Sequence, residues 1–266
     1  MQGQQMCACV NIFRERILEI NPFKVAGKTA LITGGGSGIG QFMAGTLAQA
    51  GADIIVVGRR RDRLEETIAK YGGKFVCLDI AEKGAAGRLA QKVTELQAAP
   101  NIIVNAAGIN PRKHADEVTE QEWTESVHLN LNVPFLVAQA FIGQMKAQGW
   151  GRIINIASLQ SSRAFEKGIA YGAAKGGISQ LTRAMAEAWS VDGICANAIA
   201  PGFFPTELTQ PVFENSELAA QHAKNTAIGR NGKLDDLVGP VLFLASDASI
   251  YVTGQVLAVD GGYTAK

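Results

Sequence analysis

Cysteine is scarce in this 266-residue chain: Cys7, Cys9, Cys77 and Cys195 are the four present, and they follow no disulfide-framework spacing. That excludes a cysteine-stapled secreted domain and points to a reduced, cytoplasmic setting. Cys7 and Cys9 offer two thiolates, but no second pair at ligand spacing accompanies them, so no metal is expected. Excess charge is missing as well. With 25 Lys and Arg against 24 Asp and Glu, the net charge of +1 leaves no electrostatic footprint for nucleic acid or a membrane surface. No uninterrupted apolar run reaches the roughly eighteen residues of a membrane helix. The opening MQGQQMCACVNIFRER lacks the basic start and long apolar stretch of a secretory signal. Linkers, repeats and low-complexity segments are also absent. One domain is therefore expected over residues 23–266, preceded by an N-terminal extension, 1–22, in which Ile12, Phe13, Ile17, Leu18 and Ile20 outline a short amphipathic helix.

What the chain does have is 47% hydrophobic residues and 30 glycines, a composition that suits a folded α/β protein with tight turns. Continuous apolar runs read as buried strands at KTALIT, ADIIVVG, KFVCLD, NIIVNAAG, GRIINIAS, ICANAIAP and QVLAVD. Helical patterns separate them, among them long helical stretches over 119–129 and 133–148, and a loop-rich stretch runs to about residue 230. The alternation predicts a single doubly wound parallel sheet with helices on both faces. In such sheets ligands bind outside the carboxyl ends of the strands, so those ends carry the functional signal.

The first strand runs into TGGGSGIG, residues 33–40. Its glycines allow a tight turn and a close approach of a helix N-terminus to phosphate. A strict G-x-G-x-x-G does not fit, because Ile39 and Gln41 fall where its third glycine belongs. The preceding GKT is no nucleotide-triphosphate loop, since Pro22 stands at the required glycine and Lys28 precedes the strand. The fourth strand ends in NAAG, Asn130 follows in LNLNVPF, and the fifth strand ends at Ser158. Tyr171 and Lys175 stand one helical turn apart in YGAAK, with only small residues between them. An ammonium beside a phenol favours the phenolate and lowers its pKa, which equips a tyrosine for proton transfer. Taken alone, a Y-x-x-x-K pair is also an ordinary surface helix, Asn130 a helix-distorting side chain and Ser158 a strand-end cap. None of the serines sits in G-x-S-x-G, so a hydrolase is poorly supported.

In this order, TG-x-x-x-G-x-G, N-A-A-G, Asn, Ser, Y-x-x-x-K and the P-G of PGFFPT resemble the short-chain dehydrogenase/reductase family, from about Gly27 to Gly262. Ala106 is a minor departure, standing where many members carry asparagine. The resemblance implies an oxidoreductase that passes hydride between a nicotinamide cofactor and a small-molecule alcohol or ketone. Tyr171 would be its general acid/base, and Lys175 would tune the tyrosine and hold the cofactor ribose. Ser158 would bond the substrate oxygen, and Asn130 would place a proton-relaying water. Cofactor contacts are implied at Gly34, Ser37, Gly38, Ile39, Gly40, Asp79, Ile80, Asn105, Ala106 and Gly108, and at Pro201, Gly202, Phe204 and Thr206.

After the second strand no carboxylate stands at Gly58 to repel a 2′-phosphate, and Arg59 follows directly. NADP is therefore expected, with NAD the alternative because Ser37 replaces a basic residue common in NADP-using members. Arg60 and Arg61 read as a solvated helix start. The stretches NAAGINPRKHADEVT and IINIASLQSS are similar to members acting on gluconate-type sugar acids. Arg112, with Ser158 and Gln160, is the candidate contact for such a substrate, although Arg112 and Lys113 also read as loop charges. The alternatives are a 3-oxoacyl-carrier-protein reductase and a catalytically silent dinucleotide-binding relative. The resemblance further implies a homotetramer or homodimer with the last strand near a subunit contact.

Overall fold

The structure, a computed structural model, describes residues 21–266. Cys7, Cys9 and the expected amphipathic helix lie outside the described residues. Strands β1 (Thr29–Thr33), β2 (Asp53–Gly58), β3 (Lys74–Cys77), β4 (Ile102–Asn105), β5 (Gly151–Ile156), β6 (Ile194–Pro201) and β7 (Val256–Val259) form one sheet in the order β3-β2-β1-β4-β5-β6-β7. Every pairing is parallel. The helices between them are α1 (Gly38–Gln49), α2 (Arg61–Tyr71), α3 (Ala85–Glu95), α4 (Glu120–Val127), α5 (Val133–Gln148), α6 (Ile169–Trp189), α7 (Gln210–Phe213), α8 (Ser216–Asn225) and α9 (Val238–Ala245).

The strands read as unbroken apolar runs because both faces are covered, and successive side chains enter opposite layers. Ile32, Val56, Val104 and Ile154 join Met43, Leu47 and Leu244 in one core. Leu31, Ile55, Ile103 and Ile153 join Leu89, Val137, Phe141 and Met185 in the other. The strand order turns back between β1 and β4, which opens a crevice at their carboxyl ends. Beneath that crevice lies a buried polar ladder. Asn105 Nδ2 donates to Asn155 Oδ1 (2.9 Å), and Asn155 Nδ2 donates to Thr182 Oγ1 (3.0 Å), tying β4 to β5 and β5 to α6.

Two local expectations change. The helices expected over 119–129 and 133–148 are one continuous rod, joined by a π-helical turn over His128–Asn132. The Val133 amide bonds the His128 carbonyl, five residues back. The stretch expected to be loop-rich contains α8, whose first turn is capped by the Asn215 side chain accepting from the amides of Glu217 and Leu218. Among the described residues no helix is long and apolar enough to cross a membrane.

At the opposite, amino end of β5 sits Arg152, only 1% exposed. Its guanidinium donates to the carbonyls of Ser246 and Gly151 and to Asp247 Oδ1, and it lies 4.3 Å from the Trp150 ring. The arginine therefore clips the end of α9 to the sheet, far from the crevice. Arg152→Met should destabilise the fold by about 1–3 kcal/mol for each buried carbonyl left without a donor. Urea denaturation checks this, and an unchanged midpoint would show that water replaces the guanidinium.

Candidate active site

A cleft of about 1400 Å³ runs along the carboxyl ends of the strands, from the glycine turn after β1 to an aromatic cluster beside α8. At the first end, backbone geometry leaves no room for side chains. Gly34 has φ +69°, and a Cβ there would stand 2.8 Å from the Ala107 amide nitrogen. A Cβ on Gly40 would collide with the Gly34 carbonyl. The N-terminus of α1 opens into the cleft with no side-chain cap on Ser37, so its first amides face the space where an anionic group fits. This close-packed cradle suits a dinucleotide pyrophosphate.

Ser37, Gly38, Ile39, Arg59, Asp79, Ile80, Ala106 and Gly108 also line the cleft, as do Pro201, Gly202, Phe204 and Thr206. Arg59 is largely exposed and only loosely paired, its Nη1 lying 3.6 Å from Asp79 Oδ2. Arg60 departs from the expected solvated helix start. It donates to both Glu207 carboxylate oxygens (3.2 and 2.7 Å) and to Ser37 Oγ (3.0 Å), bridging the glycine turn to the segment after β6. The Glu207 hydrogen bond raises the Arg60 pKa, and the same bond lowers that of Glu207. Asn105 also differs from expectation: its side chain lies beneath the cleft floor, in the polar ladder, and Nδ2 additionally reaches the Pro134 carbonyl.

Around the middle of the cleft, the π-turn, the segment leaving β5 and α6 bring Asn130, Ser158, Tyr171 and Lys175 together. Small residues at the start of α6 let Tyr171 and Lys175 sink to 8% and 4% exposure. Lys175 Nζ donates to the Ile156 carbonyl at 2.6 Å and lies 5.4 Å from the Tyr171 ring centroid. Burial pushes the ammonium down to about 7. Burial also raises the Tyr171 phenol, against the opposing pull of the Ser158 hydrogen bond and the Arg112 charge. The lowering expected from the Y-x-x-x-K spacing is thus reversed in the protein alone, where desolvation outweighs its neighbours. Asn130 sits in the π-turn, where Nδ2 donates to the Ser126 carbonyl (2.8 Å) and to the Ile109 carbonyl (2.9 Å). Its Oδ1 is buried without a partner among the described residues.

The far end is built from parts the sequence reading largely missed. Arg112 lies in the left-handed region at φ +53°, its amide bonded to Asn110 Oδ1 and its Nη2 to the Leu208 carbonyl. Burial lowers its pKa, with Tyr171 acting the other way, and Nε is buried without an acceptor among the described residues. Gln160 Oε1 is likewise buried and unpartnered there. Phe165, Phe203, His222 and Tyr263 close the wall. Phe203 was visible in PGFFPT, but nothing in the sequence linked it to the other three.

A family profile described as enoyl-(acyl carrier protein) reductase matches residues 34–264. The chain is similar to 2-dehydro-3-deoxy-D-gluconate 5-dehydrogenase of Bacillus subtilis (strain 168), 40% identical over 92% of this chain and 97% of that protein. It is similar also to gluconate 5-dehydrogenase of Gluconobacter oxydans (strain 621H), 36% identical over 91% and 96%. The crystal structure of a gluconate 5-dehydrogenase from Burkholderia cenocepacia, in complex with NADP and tartrate, superposes with a TM-score of 0.88. That match is at 37% identity and covers 92% of this chain and 98% of the other.

Buried Lys175 has a stability consequence. Its pKa falls from 10.5 in the ordinary state to about 7 in the fold, so between these values the unfolded chain binds more protons. The burial penalty is fully present below the folded pKa and fades as pH rises toward the unfolded one. Tyr171, shifted upward, turns the trend only above its ordinary value of 10.0. The unfolding free energy of the cofactor-free protein should climb from about pH 7 to about pH 9.5, and Lys175→Met should remove the climb. A flat wild-type profile in urea titrations would show that Lys175 stays charged throughout.

Proposed function

The chain belongs to the short-chain dehydrogenase/reductase family, and we propose that it is an NADP-dependent oxidoreductase of gluconate-type sugar acids. When bound, the dinucleotide supplies or accepts the hydride. Gly34, Gly38, Ile39 and Gly40 would hold its pyrophosphate on the α1 N-terminus. Asp79 and Ile80 would frame the adenine, with Ala106, Gly108, Pro201, Gly202, Phe204 and Thr206 along the rest of its length. Arg59 would take the 2′-phosphate, because Arg60 is already engaged by Glu207 and Ser37. Lys175 would meet the ribose. Tyr171 would exchange a proton with the substrate oxygen while Ser158 bonds that oxygen, and the free Oδ1 of Asn130 would accept from a relaying water.

The substrate class rests on one observation above the others. Arg112 shares the reaction space with Tyr171 and carries a half-buried guanidinium whose buried Nε–H is unanswered. A buried cationic donor without an acceptor is costly, and a substrate carboxylate answers it with a charge-assisted pair. The relatives named for gluconate derivatives, and the tartrate in the Burkholderia structure, support the same reading. Gln160 would bond the substrate alongside Arg112. We also read residues 23–266 as one domain behind an extension, and the protein as a cytoplasmic homotetramer or homodimer. Exposed Leu257 on edge strand β7, with Ile250 and Tyr251 just before it, supports a copy-to-copy contact there.

The direct test is NADPH-linked reduction of a keto-sugar acid, run beside an acetoacetyl thioester. Turnover of the sugar acid is expected, and Tyr171→Phe should abolish it while NADPH binding survives. A variant that keeps more than about a tenth of the wild-type rate would remove Tyr171 from proton transfer. Arg59→Ala should weaken NADPH by about ten- to a hundred-fold and leave NADH nearly unchanged, as loss of one charge-assisted contact implies. Small, equal effects on both cofactors would make NAD the better assignment.

A further inference from the structure

We propose that His222 is a specificity-determining residue that donates a hydrogen bond from Nε2 to a hydroxyl of the polyhydroxy substrate, held in that tautomer by Tyr263 and Asn225. The inference rests on the sugar-acid reading and adds to it how the chain beyond the carboxylate is recognised. Leu218, Gln221, His222 and Asn225 all line the cleft. Their spacing puts them on one face of α8, with His222 and Asn225 as neighbours.

The imidazole has little freedom. Its ring stacks on Phe203 at a centroid distance of 3.6 Å and an interplanar angle of 19°. Its Nδ1 lies 3.3 Å from Tyr263 Oη, and Asn225 Nδ2 donates to the same Oη at 3.3 Å. An amide N–H directed at that oxygen leaves the phenol proton for Nδ1 to accept. The imidazole proton then sits on Nε2, for which no acceptor is present among the described residues. Burial, and then the Arg112 charge, lower the His222 pKa, which favours this neutral form near neutral pH. Tyr263 is itself fixed, since Asp260 accepts from the amides of Gly262 and Thr264 on either side of it.

Arg112 and His222 therefore divide the work. The guanidinium is a cation suited to a carboxylate, whereas a neutral N–H against an aromatic wall suits an uncharged oxygen. Phe165, Phe203 and Tyr263 stand with ring centroids 6.0–6.4 Å apart and form an apolar wall beside the donor. A substrate that covers the donor without pairing it incurs a desolvation cost, so this wall disfavours an analogue that lacks the hydroxyl.

The experiment uses the full-length enzyme with NADPH, 5-keto-D-gluconate and its single-deoxy analogues. His222→Phe keeps the stacking partner and removes the donor. KM for the parent compound should rise about two- to ten-fold with kcat nearly unchanged, the size of one lost hydrogen bond. For one deoxy analogue the variant and the wild type should be equal. Tyr263→Phe should show a smaller loss confined to the same substrates, and the double variant should be no worse than His222→Phe alone. His222→Gln, which retains an amide donor, should recover part of the discrimination and provides the comparison if the phenylalanine variant does not fold. Equal losses on every substrate, or additive losses in the double variant, would overturn the role of His222 while leaving the sugar-acid reading intact. A wild-type enzyme that reduces neither the parent nor any analogue would overturn both.

Discussion

The hydrogen bond from the buried Lys175 ammonium to the Ile156 carbonyl sets the geometry of the reaction space. A cation so deeply buried requires an acceptor, and the last residue of β5 provides one. The bond fixes where α6 sits along the strand. Tyr171 is one turn earlier on that helix, and Ser158 is two residues past Ile156 on the chain leaving the strand. Ser161 Oγ adds a second tie by donating to the Lys175 carbonyl at 2.6 Å. Proton donor, oxygen-binding hydroxyl and ribose-side cation are thus placed by a few contacts between one helix and one strand end. The rigidity comes at a cost in proton affinity, since the desolvation that holds Lys175 also works against its charge.

The polar ladder beneath the floor makes the same demand one layer deeper. Asn105, Asn155 and Thr182 are buried, and each shares a hydrogen bond with its neighbour, while Asn105 Oδ1 has no partner among the described residues. A sheet held only by interchangeable aliphatic residues could slide against its helices at little cost. Directional bonds at the carboxyl ends of β4 and β5 pin the strands where the site needs them.

Much of this was legible in the sequence, for identifiable reasons. Parallel strands buried on both faces leave unbroken apolar runs, and a glycine turn whose backbone touches another strand leaves glycines at fixed offsets. Tyr171, Lys175, Ser158 and Asn130 were legible as a set because their motifs stand in the order that resembles the family, and the structure brings them to one cleft. The far wall was not. His222, Phe165 and Tyr263 come from three separate segments, and nothing local in any of them announces the others. Arg60 misled for a related reason: its partners, Ser37 and Glu207, lie 23 and 147 residues away. The direction of the Tyr171 shift was also beyond reach, because spacing reveals the nearby ammonium but not the depth of burial that outweighs it.

The π-turn at His128–Asn132 has a consequence for how this chain can vary in length. It holds one residue more than an α-helical turn would, and Asn130, seated in it, bonds the Ser126 carbonyl through Nδ2. Each residue of a helix advances it by about 100°. Deleting one position between 128 and 132 would let the rod close into regular α-helix and would turn α5 by about that angle against α4. Val137, Phe141 and Met145, which now seal the sheet, would swing toward solvent. A five-residue stretch with no cysteine or proline of its own therefore acts as the phase marker of the whole rod: side chains there can be exchanged far more readily than the number of residues can change.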